Sequence, residues 1–105
     1  MKKNKVLLEG SVEQVSTKVS KSGNEWTELI LCVENESKPE SPDYIPIKCF
    51  GKLSEIAKDS ENKYVSVQSH IQIYNWNSPD GSSKSFVNVV GEKIENMIES
   101  GYSEN

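Results

Sequence analysis

"DYIPIKCFGKLSEIAKDSENKYVSVQSHIQIYNW", residues 43 to 76, holds two alternating segments separated by one stretch of helical spacing. In "DYIPIKCF" (43–50) Ile45, Ile47 and Cys49 share one side and Tyr44, Lys48 and Phe50 the other. That is the two-residue period of a half-buried strand. Pro46 lacks an N–H and marks a stretch unpaired on one edge. "GKLSEIAKDS" (51–60) breaks the period, with Leu53, Ile56 and Ala57 at i, i+3 and i+4, so a short amphipathic helix is expected. Alternation then resumes over 63–76, where Val65, Val67, Ile71 and Ile73 point inward and Tyr74 and Trp76 outward.

The flanking sequence adds strands on both sides. "KVLLEGSVEQVSTKV" (5–19) alternates imperfectly around Gly10, which predicts a bulge or a close backbone approach. "SKSGN" (20–24) is a hairpin turn with Gly23-Asn24 free to take positive φ. In "EWTELILCVE" (25–34) Thr27, Leu29, Leu31 and Val33 fall on one face, and Trp26, Glu28, Ile30, Cys32 and Glu34 on the other. "NESKPESP" (35–42) is a polar loop. "NSPDGSS" is a second turn, and "KSFVNVVGEKI" (84–94) returns with Val87 and Val89 inward. Strand, strand, strand, short helix, strand, strand is an all-β order that buries one face of every strand if the sheet closes. The expected fold is therefore a five-stranded OB-fold barrel with one short helix between strands 3 and 4. One domain is expected over 1–95, followed by a short acidic C-terminal tail over 96–105.

Composition narrows the chemistry. The chain has 105 residues, 34% hydrophobic content and a formal net charge of -4, with a mean hydropathy of -0.62. Residues 92–105 set four glutamates against one lysine, so the body before them is nearly neutral. All the basic side chains are lysines. Lysine is a point charge without arginine's planar fork, which favours phosphate over base edges. No apolar run approaches a membrane span or a signal-peptide core, so no membrane partner and a cytoplasmic location are expected. Cys32 and Cys49 are expected to be small buried hydrophobes in a reducing compartment, a disulfide being the weaker alternative. The lone His70 has no partner set for a metal or a triad. No nucleophile, base or metal-ligand set converges, so neither enzyme nor cofactor is expected.

The outward positions carry the function. Trp26, Tyr44, Phe50, Tyr74 and Trp76 are gathered on one face, with Phe86 at its margin and Tyr64 and Tyr102 elsewhere. Planar rings on a sheet face suit single-stranded nucleic acid, because every base has a π-face to stack on. Lys48 shares the face, and Lys18, Lys21 and Lys84 lie near the hairpins that flank it. Lys38, Lys58 and Lys63 are read as solvated charges. Trp26 is balanced between contact and packing, because Ile30 and Cys32 share its side.

Taken together, "KVLLEGSVEQ", "KSGNEWTELILCVEN", "DYIPIKCFGKLSEIAK", "SVQSHIQIYNW" and "DGSSKSFVNVVGEKIE" resemble bacterial single-stranded DNA-binding proteins over residues 4 to about 95. The resemblance implies base stacking by the side chains at Tyr44, Phe50 and Trp76. It also implies a homo-oligomer, dimer or tetramer, and roles in replication, recombination or repair. That family's acidic tail ends in Ile-Pro-Phe; this sequence ends in "ESGYSEN", so recruitment by such a tip is not carried over. In length the chain is similar to the primosomal replication protein B subgroup, or to a compact phage or plasmid version of the family. That subgroup suggests the alternative of an interaction adaptor with a replication protein such as a helicase as partner.

Overall fold

The computed structural model describes residues 3–97. The elements are β1 (Val6–Val19), β2 (Glu25–Val33), β3 (Asp43–Cys49), α1 (Lys52–Lys58), β4 (Tyr64–Asn77) and β5 (Ser83–Asn96). The strands close into a barrel in the order β1-β2-β3-β5-β4. The expected OB-fold barrel is therefore present, with its helix between β3 and β4. Strand β5 runs one residue into the expected tail; residues 98–105, Tyr102 among them, lie outside the described residues.

Closure depends on β1 serving two neighbours. Its first half pairs with β4, from Val6↔Ser69 to Ser11↔Tyr64, and its second half with β2, from Ser11↔Cys32 to Val19↔Glu25. The strand bends where it changes partner. There a Cβ on Gly10 would lie 2.0 Å from the Cys32 carbonyl oxygen. Gly10 thus marks a close backbone approach, while the bulge falls at Glu13, where the register steps from Val12↔Leu31 to Gln14↔Ile30. Strand β3 meets β5 in parallel only at Ile47↔Val89 and Lys48↔Val90, so Asp43–Pro46 have no β5 partner.

Val12, Leu29, Leu31, Ile47, Cys49, Val65 and Val67 fill the interior at 1% exposure or less. Each large aliphatic among them contributes about 1.5–3 kcal/mol by leaving water. The helix caps one end of this core, but its buried face is Leu53, Ser54 and Ala57 rather than Leu53, Ile56 and Ala57. Ile56 is 48% exposed. Ser54 turns inward because buried Thr27 needs a partner, and the two hydroxyls lie 2.6 Å apart. Leu53 meets the barrel wall at Gly91, where any Cβ would come within 3.1 Å of its Cδ2 atom.

Several other expectations are corrected by position. Ile73 and Val87 have the inward parity and face each other across the ladder. They are nevertheless 55% and 65% exposed, because the β4–β5 hairpin projects beyond the barrel and leaves them no core to enter. Val90 has the outward parity yet is buried where β5 is enclosed between Lys48 and His70. Cys32 is half-buried on the outward side, and both cysteines are free. In the β1–β2 turn Gly23 alone takes positive φ, at 91°; Asn24 does not. Lys58 is not merely solvated, being paired with Glu25 at 3.1 Å and Glu55 at 3.4 Å.

Candidate nucleic-acid interface

The outward parities of β2 and β3 lie side by side because the two strands pair without a bulge from Thr27↔Cys49 to Val33↔Asp43. Carrying that register one residue past Cys49 brings Phe50 beside Trp26. Their ring centroids are 5.3 Å apart with planes tilted by 32°. Trp26 is half-buried and Phe50 exposed, so the pair has a supported side and an open side. The rings line a cleft of about 420 Å³ with Ser20, Asn24, Glu25 and Gly51.

A second aromatic group stands on the projecting hairpin. Ladder pairing sets Tyr74 opposite Phe86 and Trp76 opposite Lys84. The Tyr74 and Phe86 rings lie 6.4 Å apart, and Tyr74, Trp76 and Phe86 are all exposed. Phe86, marginal by sequence, thus stands with the others. A cleft of about 400 Å³ opens between the hairpin and the barrel, lined by Lys48, Tyr74, Phe86 and Asn88.

Lys48 joins the two groups. It lines the hairpin cleft, and its Nζ lies 5.5 Å from the centre of the Trp26 ring. Tyr44 stands apart at the other end of β3, opposite Cys32 and exposed. Phe50 lies six positions further on, about 20 Å along an extended strand. The Tyr44 phenol is held above its ordinary value by charge on Cys32 foremost, then by desolvation, by Glu13 and by its hydrogen bond to Cys32. It stays a neutral ring at physiological pH.

The flanking lysines divide. Lys18 pairs with Trp26 across β1 and β2, and its Nζ lies 3.7 Å from Glu28 Oε1. Lys84 is exposed beside Trp76, and Lys21 is exposed on the β1–β2 turn, away from the ladder. Lys38 and Lys63 are exposed outside this face. The hairpin's turn is fixed by Asp80, which accepts from the backbone N–H of Ser82 at 2.9 Å and its hydroxyl at 2.7 Å. Those two bonds, with a third from Ser78, hold the Asp80 carboxyl below its ordinary value.

Two side chains on this face were not singled out as site residues from the sequence. Glu28 and Asn88 each follow an outward aromatic by two residues, so parity placed them there. As polar residues they read as solvent-facing, and only the register shows Glu28 opposite Lys48 and Asn88 opposite Gln72. Among the described residues no group of His, Cys, Asp and Glu is arranged to hold a metal ion. No described helix is long and apolar enough to cross a membrane.

Residues 3–97 match the model of the single-strand binding protein family. The chain is 29% identical over 100 residues to Single-stranded DNA-binding protein 1 of Clostridium acetobutylicum, spanning 88% of this chain and 91% of that protein. It superposes on the crystal structure of Rim1, a mitochondrial single-stranded DNA binding protein from S. cerevisiae. That match has a TM-score of 0.68 and 15% identity, and covers 92% of this chain and 97% of the other. At that identity the likeness carries the fold.

Proposed function

The chain belongs to the single-strand binding protein family, and we propose that it binds single-stranded DNA by stacking unpaired bases on Trp26, Phe50, Tyr74, Trp76 and Phe86, with Tyr44 extending the track. The observation that carries this reading is the exposed row of rings on a chain whose whole described length matches the family. Exposed apolar surface of this extent costs solubility unless it meets a ligand. Each ring–base stack contributes about 1–3 kcal/mol and tolerates any base.

Lys48, Lys84, Lys21 and Lys18 supply positive charge around that track. Phosphates neutralised there release counterions, so affinity falls as salt rises, with a slope of about -0.7 per phosphate on a single strand. A strand held in this way has its bases on protein rings and cannot re-anneal. The role is one of binding rather than catalysis, in replication, recombination or repair, and the protein acts as a homo-oligomer in the cytoplasm.

Titration with oligo-dT at two salt concentrations tests the reading, because Trp26 and Trp76 are the only tryptophans. Saturable quenching that weakens with salt is expected. Trp76→Ala should weaken binding by about 1–3 kcal/mol. No quenching at low salt would overturn the reading, and an unchanged affinity in that variant would remove Trp76 from the site.

A further inference from the structure

A carboxylate stands in the middle of a face that must receive a polyanion. Glu28 shares the outward side of β2 with Trp26, lies opposite Lys48 on β3 and opposite Ser16 on β1. Its side chain is 24% exposed, enough to meet a ligand and too little to swing into bulk solvent. Among the described residues its charged neighbour is Lys18, with Nζ 3.7 Å from Oε1. That is an ion pair without the length of a direct hydrogen bond. Lys48, the other cation within reach by register, leans to the Trp26 ring instead.

Two consequences follow from this placement. A phosphate brought to the Trp26–Phe50 corner is repelled by the Glu28 carboxylate and drawn to the lysines around it, which turns the bases toward the rings. A base lying on Trp26 then presents its edge toward a group that accepts hydrogen bonds and donates none. Cytosine offers its N4 amino group there, whereas the edge of unpaired thymine carries a single N3–H flanked by two carbonyl oxygens that a carboxylate repels. Both are single-ring pyrimidines, so stacking barely distinguishes them. Edge chemistry does.

We propose that Glu28 is a selectivity residue of this face, accepting an exocyclic amino N–H from a base stacked at Trp26 and biasing an otherwise sequence-tolerant site toward cytosine over thymine. This rests on the single-stranded DNA reading above. Lys18, 46% exposed and 3.7 Å from the carboxylate, offsets part of its charge and still faces a phosphate.

The test compares oligo-dC and oligo-dT of equal length, binding to the full chain at one salt concentration and pH 8. The proteins are the wild type, Glu28→Gln and Lys18→Gln. Glutamine keeps the shape but carries a donor as well as an acceptor. Glu28→Gln should tighten oligo-dT and lower the ratio of oligo-dC to oligo-dT affinity by about fivefold, the low end for one lost base-edge contact. Lys18→Gln should weaken both oligonucleotides by a similar factor and leave the preference for cytosine in place. Equal tightening of both by Glu28→Gln would mean a general charge effect and would overturn the proposal, as would an unchanged ratio. Wild-type protein that binds neither oligonucleotide would overturn the binding reading itself, a separate and recognisable failure.

Discussion

The Lys48 ammonium lies 5.5 Å from the centre of the Trp26 ring. Lysine over an indole face gains about 0.5–1 kcal/mol at an exposed site, which holds the cation where the two aromatic groups approach each other. Lys48→Met should therefore act in two ways. It removes one phosphate partner, making the salt dependence of oligonucleotide binding shallower by about 0.7. It also frees Trp26, which a shift in the tryptophan emission of the unliganded protein will report. An unchanged salt slope would leave Lys48 as a packing residue only.

Gly10 sits where β1 passes over β2, and the position has no room for a side chain. A Cβ there would meet the Cys32 carbonyl oxygen at 2.0 Å and its carbon at 2.9 Å, both backbone atoms that cannot rotate away. Gly10→Ala must open the barrel at its bend, at a cost of about 3 kcal/mol or more. Denaturant unfolding should show a lower midpoint, or no folded protein. At Gly23 a Cβ would meet nothing within 4 Å, so its constraint is conformational, through φ of 91°.

Much of this architecture was legible because strand alternation is a direct record of which side faces the core. Thr27, Leu29, Leu31, Ile47, Cys49, Val65 and Val67 are all buried as their parity predicts. Parity stops being informative where a strand leaves the barrel or carries an extra residue. Ile73 and Val87 keep the inward parity on a hairpin with no interior. In β5 the register steps from Gly91 to Lys93, leaving Glu92 unpaired and returning Ile94 to the core on the opposite parity. The helix misleads for another reason. Its spacing fits either Ile56 or Ser54 as the third buried position, and the buried Thr27 hydroxyl decides it. The outward aromatics could be gathered by parity, but Phe86 joins Tyr74 only through cross-strand register, which a sequence does not print.

The two cysteines should differ in reactivity, for the same reason that one is core and the other is not. Burial pushes the Cys49 thiol up to about 11, and its side chain is closed to reagent. Cys32 is half-buried on the outward face beside Tyr44. Thiolates, not thiols, attack disulfide reagents. In the native protein at pH 8, Ellman's reagent should release one equivalent of chromophore from Cys32, and the second only on unfolding. Two equivalents at the same rate would place Cys49 outside the core. Single-stranded oligonucleotide should slow the Cys32 reaction, since that side chain lies within the proposed track.

Glu92, the residue skipped by the β4–β5 ladder, gives the fold a defined acid response. Its carboxylate accepts from Lys5 Nζ at 2.9 Å and lies 2.6 Å from His70 Nδ1. These bonds, Lys5 first and His70 second, hold it below its ordinary value of 4.5. A carboxyl whose folded-state value is depressed binds its proton more readily when unfolded. Its stabilising effect is therefore present above pH 4.5 and is lost as pH falls through the lowered folded-state value. Lys5 precedes β1 and His70 lies on β4, so protonating Glu92 loosens the chain's entry into the barrel from the β5 side. Carboxyl carbon titration by NMR should show Glu92 below 4.5 in the wild type. In Lys5→Met it should move up toward 4.5, and stability in the acid range should then vary less steeply with pH. A Glu92 titration that does not respond to loss of Lys5 would show that the N-terminal segment is not held by this pair.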